Sequence, residues 1–184
     1  MHAFLLVNGI LLFLILILLF LLSGIWPPDS PWAPWWQMPP EVIRRMCKLA
    51  KVNKKSVIYD LGSGTGRALI IAAKEFGAKG IGIEIDPLRY YISRFNHWRY
   101  HTGNNITFLK KNFFAVPLTE ATVLFIYLIP NALKRLVPKF MKELKPETII
   151  VSYKYILPVE MFKGKLKLVE EDKKMNIFVY KLIQ

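Results

Sequence analysis

The run Tyr59-Asp60-Leu61-Gly62-Ser63-Gly64-Thr65-Gly66-Arg67 sets a carboxylate two residues before three alternating glycines, and a second carboxylate follows at Glu84. Glycines let a backbone turn with positive φ, approach a ligand closely and pack a helix N-terminus onto a sheet. That N-terminus favours negative charge, but a carboxylate beside it would repel a pyrophosphate and suits a ligand with an α-amino group. The spacing is G-x-G-x-G after an acid, not the G-x-G-x-x-G of dinucleotide sites. Glu84 closes a second apolar run, where a carboxylate can accept hydrogen bonds from both ribose hydroxyls. The pattern therefore points to S-adenosylmethionine rather than NAD, and to an enzyme. A glycine loop standing alone would read as a tight strand-to-helix turn; the two carboxylates argue against that reading.

Positioning these groups requires a strand before the loop and a helix after it. Ser56-Val57-Ile58-Tyr59 is β-prone and apolar, and residues 68–74 read as the helix. Gly80 to Ile83 is the second strand. Asp86-Pro87 opens a helix through about Tyr100, stopped by Thr102-Gly103-Asn104-Asn105, and residues 106–109 form a third strand. Residues 122–127 are a fourth strand, Asn131 to Lys142 a helix with Asn131 as N-cap, and residues 148–153 a fifth strand. Two last strands span 165–169 and 176–182. Upstream, residues 41–50 carry apolar side chains at helical spacing behind a proline suited to a first turn. The expectation is an α/β, doubly wound, mostly parallel sheet with an antiparallel C-terminal edge.

Ala3 to Trp26 is almost wholly apolar, and no charged residue precedes Asp29. The segment lacks the basic start and small-residue cleavage site of a signal peptide, and it lacks the polar face of a core helix. It is expected to be one transmembrane helix, and the lysines and arginines that all follow it would place the body in the cytoplasm. The organisation expected is an anchor over 1–26, a proline- and tryptophan-rich linker over 27–40 and a catalytic domain over 41–184. In the linker, Trp26 and Trp32 suit an interfacial belt, while Trp35 and Trp36 are candidates for a lid over the cofactor pocket. The net charge of +13 is compatible with nucleic acid, an acidic substrate or an anionic leaflet. The lysines are dispersed and nothing resembles a nucleic-acid-binding motif. The single cysteine, Cys47, fits a reducing compartment and a packing role.

With loop, carboxylates and strand order in place, the body resembles class I (Rossmann-like) S-adenosylmethionine-dependent methyltransferases from about Trp35 onward. It looks most like the membrane-anchored mitochondrial protein-lysine methyltransferases, of the ATP synthase c-subunit and adenine nucleotide translocase type, and their prokaryotic relatives. The segments that carry the likeness are residues 59–67, Tyr127-Leu128-Ile129-Pro130, and Leu144-Lys145-Pro146 leading to Val151-Ser152-Tyr153. The resemblance implies Asp60, Gly62, Gly64 and Gly66 around the methionine part of the cofactor, with Ser63 and Arg67 of the same loop. It implies Glu84 on the ribose and Ile85 against the adenine, with Phe113 nearby. Asn112 stands where the family usually has Asp facing the adenine amino group, and its amide oxygen can accept that bond. Where relatives have a Tyr-Val-Pro-Thr-Pro type sequence this chain has Trp35-Trp36-Gln37-Met38-Pro39, so a substrate-orienting hydroxyl is missing.

Methyl transfer from a sulfonium is an in-line displacement: the protein aligns a nucleophile and excludes water, and needs no metal. A lysine nucleophile must be neutral, which an aromatic-walled channel promotes. Tyr127 is the first candidate to orient the amine and Tyr153 the second; Pro130 belongs to the substrate side. Half-buried strand tyrosines are the plainer reading of both. His97 and His101 lie four apart on one helix, but no third metal ligand is apparent. Arg94, His97, Arg99 and His101 read as a wet face with Phe95 and Trp98 inward. The function expected is N-methylation of a lysine in a protein at or in the membrane. The alternatives are methylation of a lipid or amphipathic small molecule, and a catalytically silent module that binds anionic lipid or RNA.

Overall fold

The computed structural model describes residues 2–23 and 36–183. After an N-terminal helix, α1 (His2–Ser23), come α2 (Pro40–Leu49), β1 (Val57–Leu61), α3 (Arg67–Phe76), β2 (Lys79–Glu84) and α4 (Pro87–Arg99). They are followed by β3 (Ile106–Lys110), β4 (Val123–Ile126), α5 (Pro130–Glu143), β5 (Ile149–Tyr153), β6 (Leu166–Asp172) and β7 (Ile177–Leu182). The strands form one seven-stranded sheet in the order β3-β2-β1-β4-β5-β7-β6. The first five are mutually parallel; β7 runs antiparallel to β5 and to β6. The order reverses between β1 and β4, so the carboxyl ends of those strands open onto the crevice where such sheets bind ligands.

Side-chain alternation along the central strands builds two cores. Ile58, Phe125, Val151 and Val179 face one side and pack with α2 and α3; Tyr59, Leu124, Ile126, Ile150 and Tyr180 face the other and pack with α5. The α5 stripe is Ala132, Leu133, Leu136, Val137 and Phe140, a helical repeat with every member buried. Pro138 sits inside this helix on its exposed side. The expected N-cap at Asn131 is corrected: Pro130 opens α5 behind Ile129, and no side chain caps it. A proline at the first helical position lacks one of the otherwise unpaired N–H groups and has its φ preset for the helix. The edge strand β6 is bulged between Leu168 and Glu170 and exposes Lys167, Glu170 and Glu171, which protects it against further pairing.

Two other expectations are revised. On α4, Phe95 and Trp98 point outward, 54% and 69% exposed, while Arg89 and Ser93 are buried. The helix meets the sheet through the small Ser93, next to Gly66 and Phe108, and such close contact leaves no room for a large aromatic stripe. At the N-terminus, no helix among the described residues is long and apolar enough to cross a membrane. That finding overturns the single-pass anchor and the membrane localisation with a cytoplasmic body. Trp26, Trp32, Trp35 and most of the expected linker lie outside the described residues.

Candidate active site

The loop between β1 and α3 uses its own backbone donors. Gly62 N–H and Ser63 N–H both donate to the Ile83 carbonyl, at 2.9 and 3.0 Å, and Gly66 N–H donates to the Ser63 carbonyl at 2.9 Å. Gly64 N–H donates to Glu84 Oε2 at 2.8 Å, and the other carboxylate oxygen, Oε1, accepts from Asp86 N–H at 2.9 Å. Four loop N–H groups are thus committed within the protein, so the loop is not a phosphate cradle of free donors. Asp86 then caps α4 by accepting from Arg89 N–H at 2.8 Å. Glu84 ties the glycine loop to the start of the next helix, and its two oxygens retain lone pairs for further donors.

Two glycines are dictated by close approach. A Cβ on Gly82 would lie 2.5 Å from the Phe108 ring and 2.8 Å from Ser63 Oγ. Gly66, at φ +78°, caps α3 in the left-handed region, and a Cβ there would also come within 2.5 Å of Phe108. Gly82 is paired with Asp60 across β1 and β2, so the close packing beside it fixes the strand that carries the first carboxylate.

Asp60 and Glu84 are 4% and 6% exposed. Burial, and secondly the negative charge of Glu84, push the Asp60 carboxyl up to about 7. Glu84 is also raised, mainly by burial, against the pull of its two backbone donors and of Arg89. Arg89 is buried in the same wall. Ser63 Oγ is buried and has no hydrogen-bond partner among the described residues. A cavity walled by two buried carboxylates and an unsatisfied hydroxyl calls for a ligand with a cationic group and hydroxyl donors, and repels polyphosphate. S-adenosylmethionine has both, in its α-ammonium group and its ribose, so the residues present fit that cofactor.

Of the residues singled out from the sequence, Asp60, Gly62, Ser63, Gly64, Arg67, Glu84, Ile85, Phe113, Trp36 and Tyr127 line this cavity. Gly66 stands behind it as the cap of α3. Asn112 is exposed and outside the lining; its Oδ1 accepts from Phe114 N–H at 3.0 Å and caps a short 3₁₀ turn. Pro130 and Tyr153 are not among the lining residues, and Trp35 lies outside the described ones. Sequence reasoning missed Arg89, Met38, Gln37, Thr65, Ile43 and Leu128. The signal for Arg89 was its place three residues after the N-cap Asp86, which turns it back toward Glu84. Gln37 Nε2 donates to Thr65 Oγ1 at 3.3 Å, so the strap before α2 lies along the glycine loop.

Beyond the carboxylates the cavity opens onto tyrosines. Tyr127 follows β4 and Tyr153 ends β5, and the pairing of Ile126 with Ser152 sets them side by side. Their ring centroids are 4.8 Å apart at 64°, and Tyr155 stacks at 6.4 Å from Tyr127. Tyr155 was not anticipated, because it lies past the strand. Elsewhere, His97 Nδ1 is hydrogen-bonded to Thr102 Oγ1, and no metal-binding cluster occurs among the described residues.

Residues 60–161 match the model of the ANTKMT methyltransferase domain. The chain is 38% identical to a protein-lysine N-methyltransferase of Saccharolobus islandicus, over 83% of this chain and 92% of that one. It is 30% identical to the adenine nucleotide translocase lysine N-methyltransferase of Mus musculus, over 55% of this chain and 44% of that protein. The match thus spans less than half the length of that animal relative. A crystal structure of an RNA methyltransferase from Salinibacter ruber with S-adenosyl-L-homocysteine superposes with a TM-score of 0.73 at 32% identity, over 81% of this chain and 95% of that one.

Proposed function

The chain belongs to the ANTKMT methyltransferase domain family, and from that premise we propose that it methylates the side-chain amine of lysine in a protein. It is an S-adenosylmethionine-dependent methyltransferase of class I fold. The observation that carries the lysine reading is the Tyr127 ring in the wall of the carboxylate cavity, with the Tyr153 ring packed against it. Aromatic faces attract an incoming ammonium and then surround it with apolar wall, which favours its neutral, nucleophilic form. Tyr127 orients the amine and Tyr153 walls the other side. Asp60 receives the cofactor's ammonium group, Glu84 its ribose hydroxyls, and Ile85 and Phe113 its adenine. Ser63 and Arg67 complete the loop side, Trp36 covers the opening, and the unit over 41–184 carries the rest of the machinery. When bound, the cofactor supplies an electrophilic methyl on sulfur; the chain's own task is alignment and exclusion of water.

RNA as acceptor is the second reading, favoured by the net charge of +13 and by the likeness to the Salinibacter ruber RNA methyltransferase. The test is to incubate the full chain with methyl-labelled S-adenosylmethionine and a cell extract, with Asp60→Asn as control. Label that survives ribonuclease, is lost to protease and is recovered as methyl-lysine supports the proposal. Label lost to ribonuclease, or extracted with lipid, overturns it.

A further inference from the structure

Lys154 sits in the aromatic cluster that the proposed function assigns to the target lysine. Its Nζ lies 5.4 Å from the centroid of the Tyr127 ring and 5.7 Å from that of Tyr153. Both distances fall within the reach of a cation–π interaction. Contact with the Tyr127 hydroxyl, foremost, raises Lys154 above the ordinary lysine range and keeps it an ammonium.

The backbone shows how it gets there. In a continuing strand Tyr153 and Lys154 would project from opposite faces of the sheet. Instead Lys154 has φ +67°, a conformation costly for a side chain with a Cβ. The turn is held from both sides: Lys154 N–H donates to the Asn176 carbonyl at 2.8 Å, and Ser152 Oγ donates to the Tyr155 carbonyl at 2.6 Å. The positive φ reverses the chain locally, so that Tyr153, Lys154 and Tyr155 converge on Tyr127.

We infer that Lys154 is a built-in competitor for the acceptor subsite: its ammonium rests on the Tyr127 and Tyr153 faces, and a target lysine must displace it before the amine can be aligned. The inference rests on the lysine-methylation reading above and adds a residue that sets substrate affinity. Lys154 is exposed, so it can swing into solvent without unfolding any element. Displacing one exposed cation from an aromatic face corresponds to a factor of about two to five in affinity.

The test compares the full-length wild type with Lys154→Gln and Lys154→Arg, on a peptide containing a single lysine and on the same peptide with glutamine in its place. Steady-state methylation gives KM and kcat, and calorimetry with S-adenosylhomocysteine present gives peptide affinity independently of turnover. The expected result is a KM and a peptide Kd about two- to five-fold lower in Lys154→Gln, with kcat unchanged and Lys154→Arg close to wild type. An unchanged or higher Kd in Lys154→Gln, or a fall in kcat with KM constant, overturns the inference. If the wild type methylates no lysine, the functional reading fails instead, and the calorimetric comparison still decides whether Lys154 competes for this surface.

Discussion

The two ends of the cavity are built by different physics. The cofactor half, between β1 and β2, consists of backbone donors bonded internally, glycines that admit no Cβ, and two carboxylates nearly sealed from water. The acceptor half, after β4 and β5, consists of half-exposed tyrosine rings and an exposed lysine on a turn. The first half stores an electrostatic demand that a cationic ligand relieves. The second offers a weak, adaptable surface with no buried charge of its own. A rigid site for the common reagent and a soft one for the acceptor suit an enzyme whose specificity is set at the mouth and not at the floor.

This contrast predicts opposite responses to substitution. Asp60→Asn should weaken cofactor binding by two to three orders of magnitude, since it removes the buried partner of a cation. The same change should raise the thermal stability of the cofactor-free protein above pH 7, because it deletes a carboxylate that burial disfavours. Calorimetric titration and thermal melts read the two effects together; a loss of both binding and stability would contradict the assignment of Asp60 as a ligand-facing group. Gly82→Ala should cost about 1–3 kcal/mol by driving Cβ into Phe108, and Gly82→Ala with Phe108→Leu should recover part of it in denaturant unfolding.

The pH dependence follows from the raised Asp60. A carboxyl whose folded value is about 7 holds its proton more tightly in the native chain than in the unfolded one. The stability of the cofactor-free protein is therefore greatest below the ordinary carboxylate value near 3.8, as far as this group is concerned, and falls as pH rises toward 7. Cofactor binding needs the ionised form, so affinity should rise up to about tenfold per pH unit below 7 and level off above it, with proton release on binding near neutrality. A pH-independent Kd would mean that Asp60 does not meet the cation.

In the acceptor half the effects are smaller and kinetic. Tyr127→Phe should lower kcat about tenfold with the cofactor Kd unchanged, the loss of one hydrogen bond that matters mainly in the aligned state. Tyr153→Phe should change kcat less, because its hydroxyl is not needed to wall the channel. At the floor of the α2 core, burial pushes the Cys47 thiol up to about 12. It should resist thiol reagents in the native state and react only on unfolding, which gives a label for opening of that core.

The cofactor half was legible because its determinants are adjacent in the chain. The acid, the glycines and the following helix all lie between residues 59 and 76, and Glu84 ends the next strand. Local chemistry constrained each of them: glycine where φ is positive or a Cβ cannot fit, a carboxylate where an ammonium must be met. Arg89 was marked only by its place after the N-cap Asp86, since whether an arginine on a mostly exposed helix is buried depends on how α4 leans on β2 and β3. Phe95 and Trp98 were misassigned for the same reason: the helical repeat gives a face, and packing decides whether it is covered. The apolar N-terminal run was legible as a helix, whereas the span read into it is not found among the described residues.

Residue types and their periodicity were enough to set the order of strands and helices, the carboxylate and glycine chemistry of the loop, and the choice of a sulfonium cofactor over a dinucleotide. These are local properties, readable without knowing which strands become neighbours. That Tyr127, Tyr153, Tyr155 and Lys154 share one small volume emerged only on folding, because β4 and β5 meet through sheet pairing and a single positive φ turns Lys154 back onto the rings. Such a convergence depends on strand register and one backbone dihedral, which residue types alone do not encode.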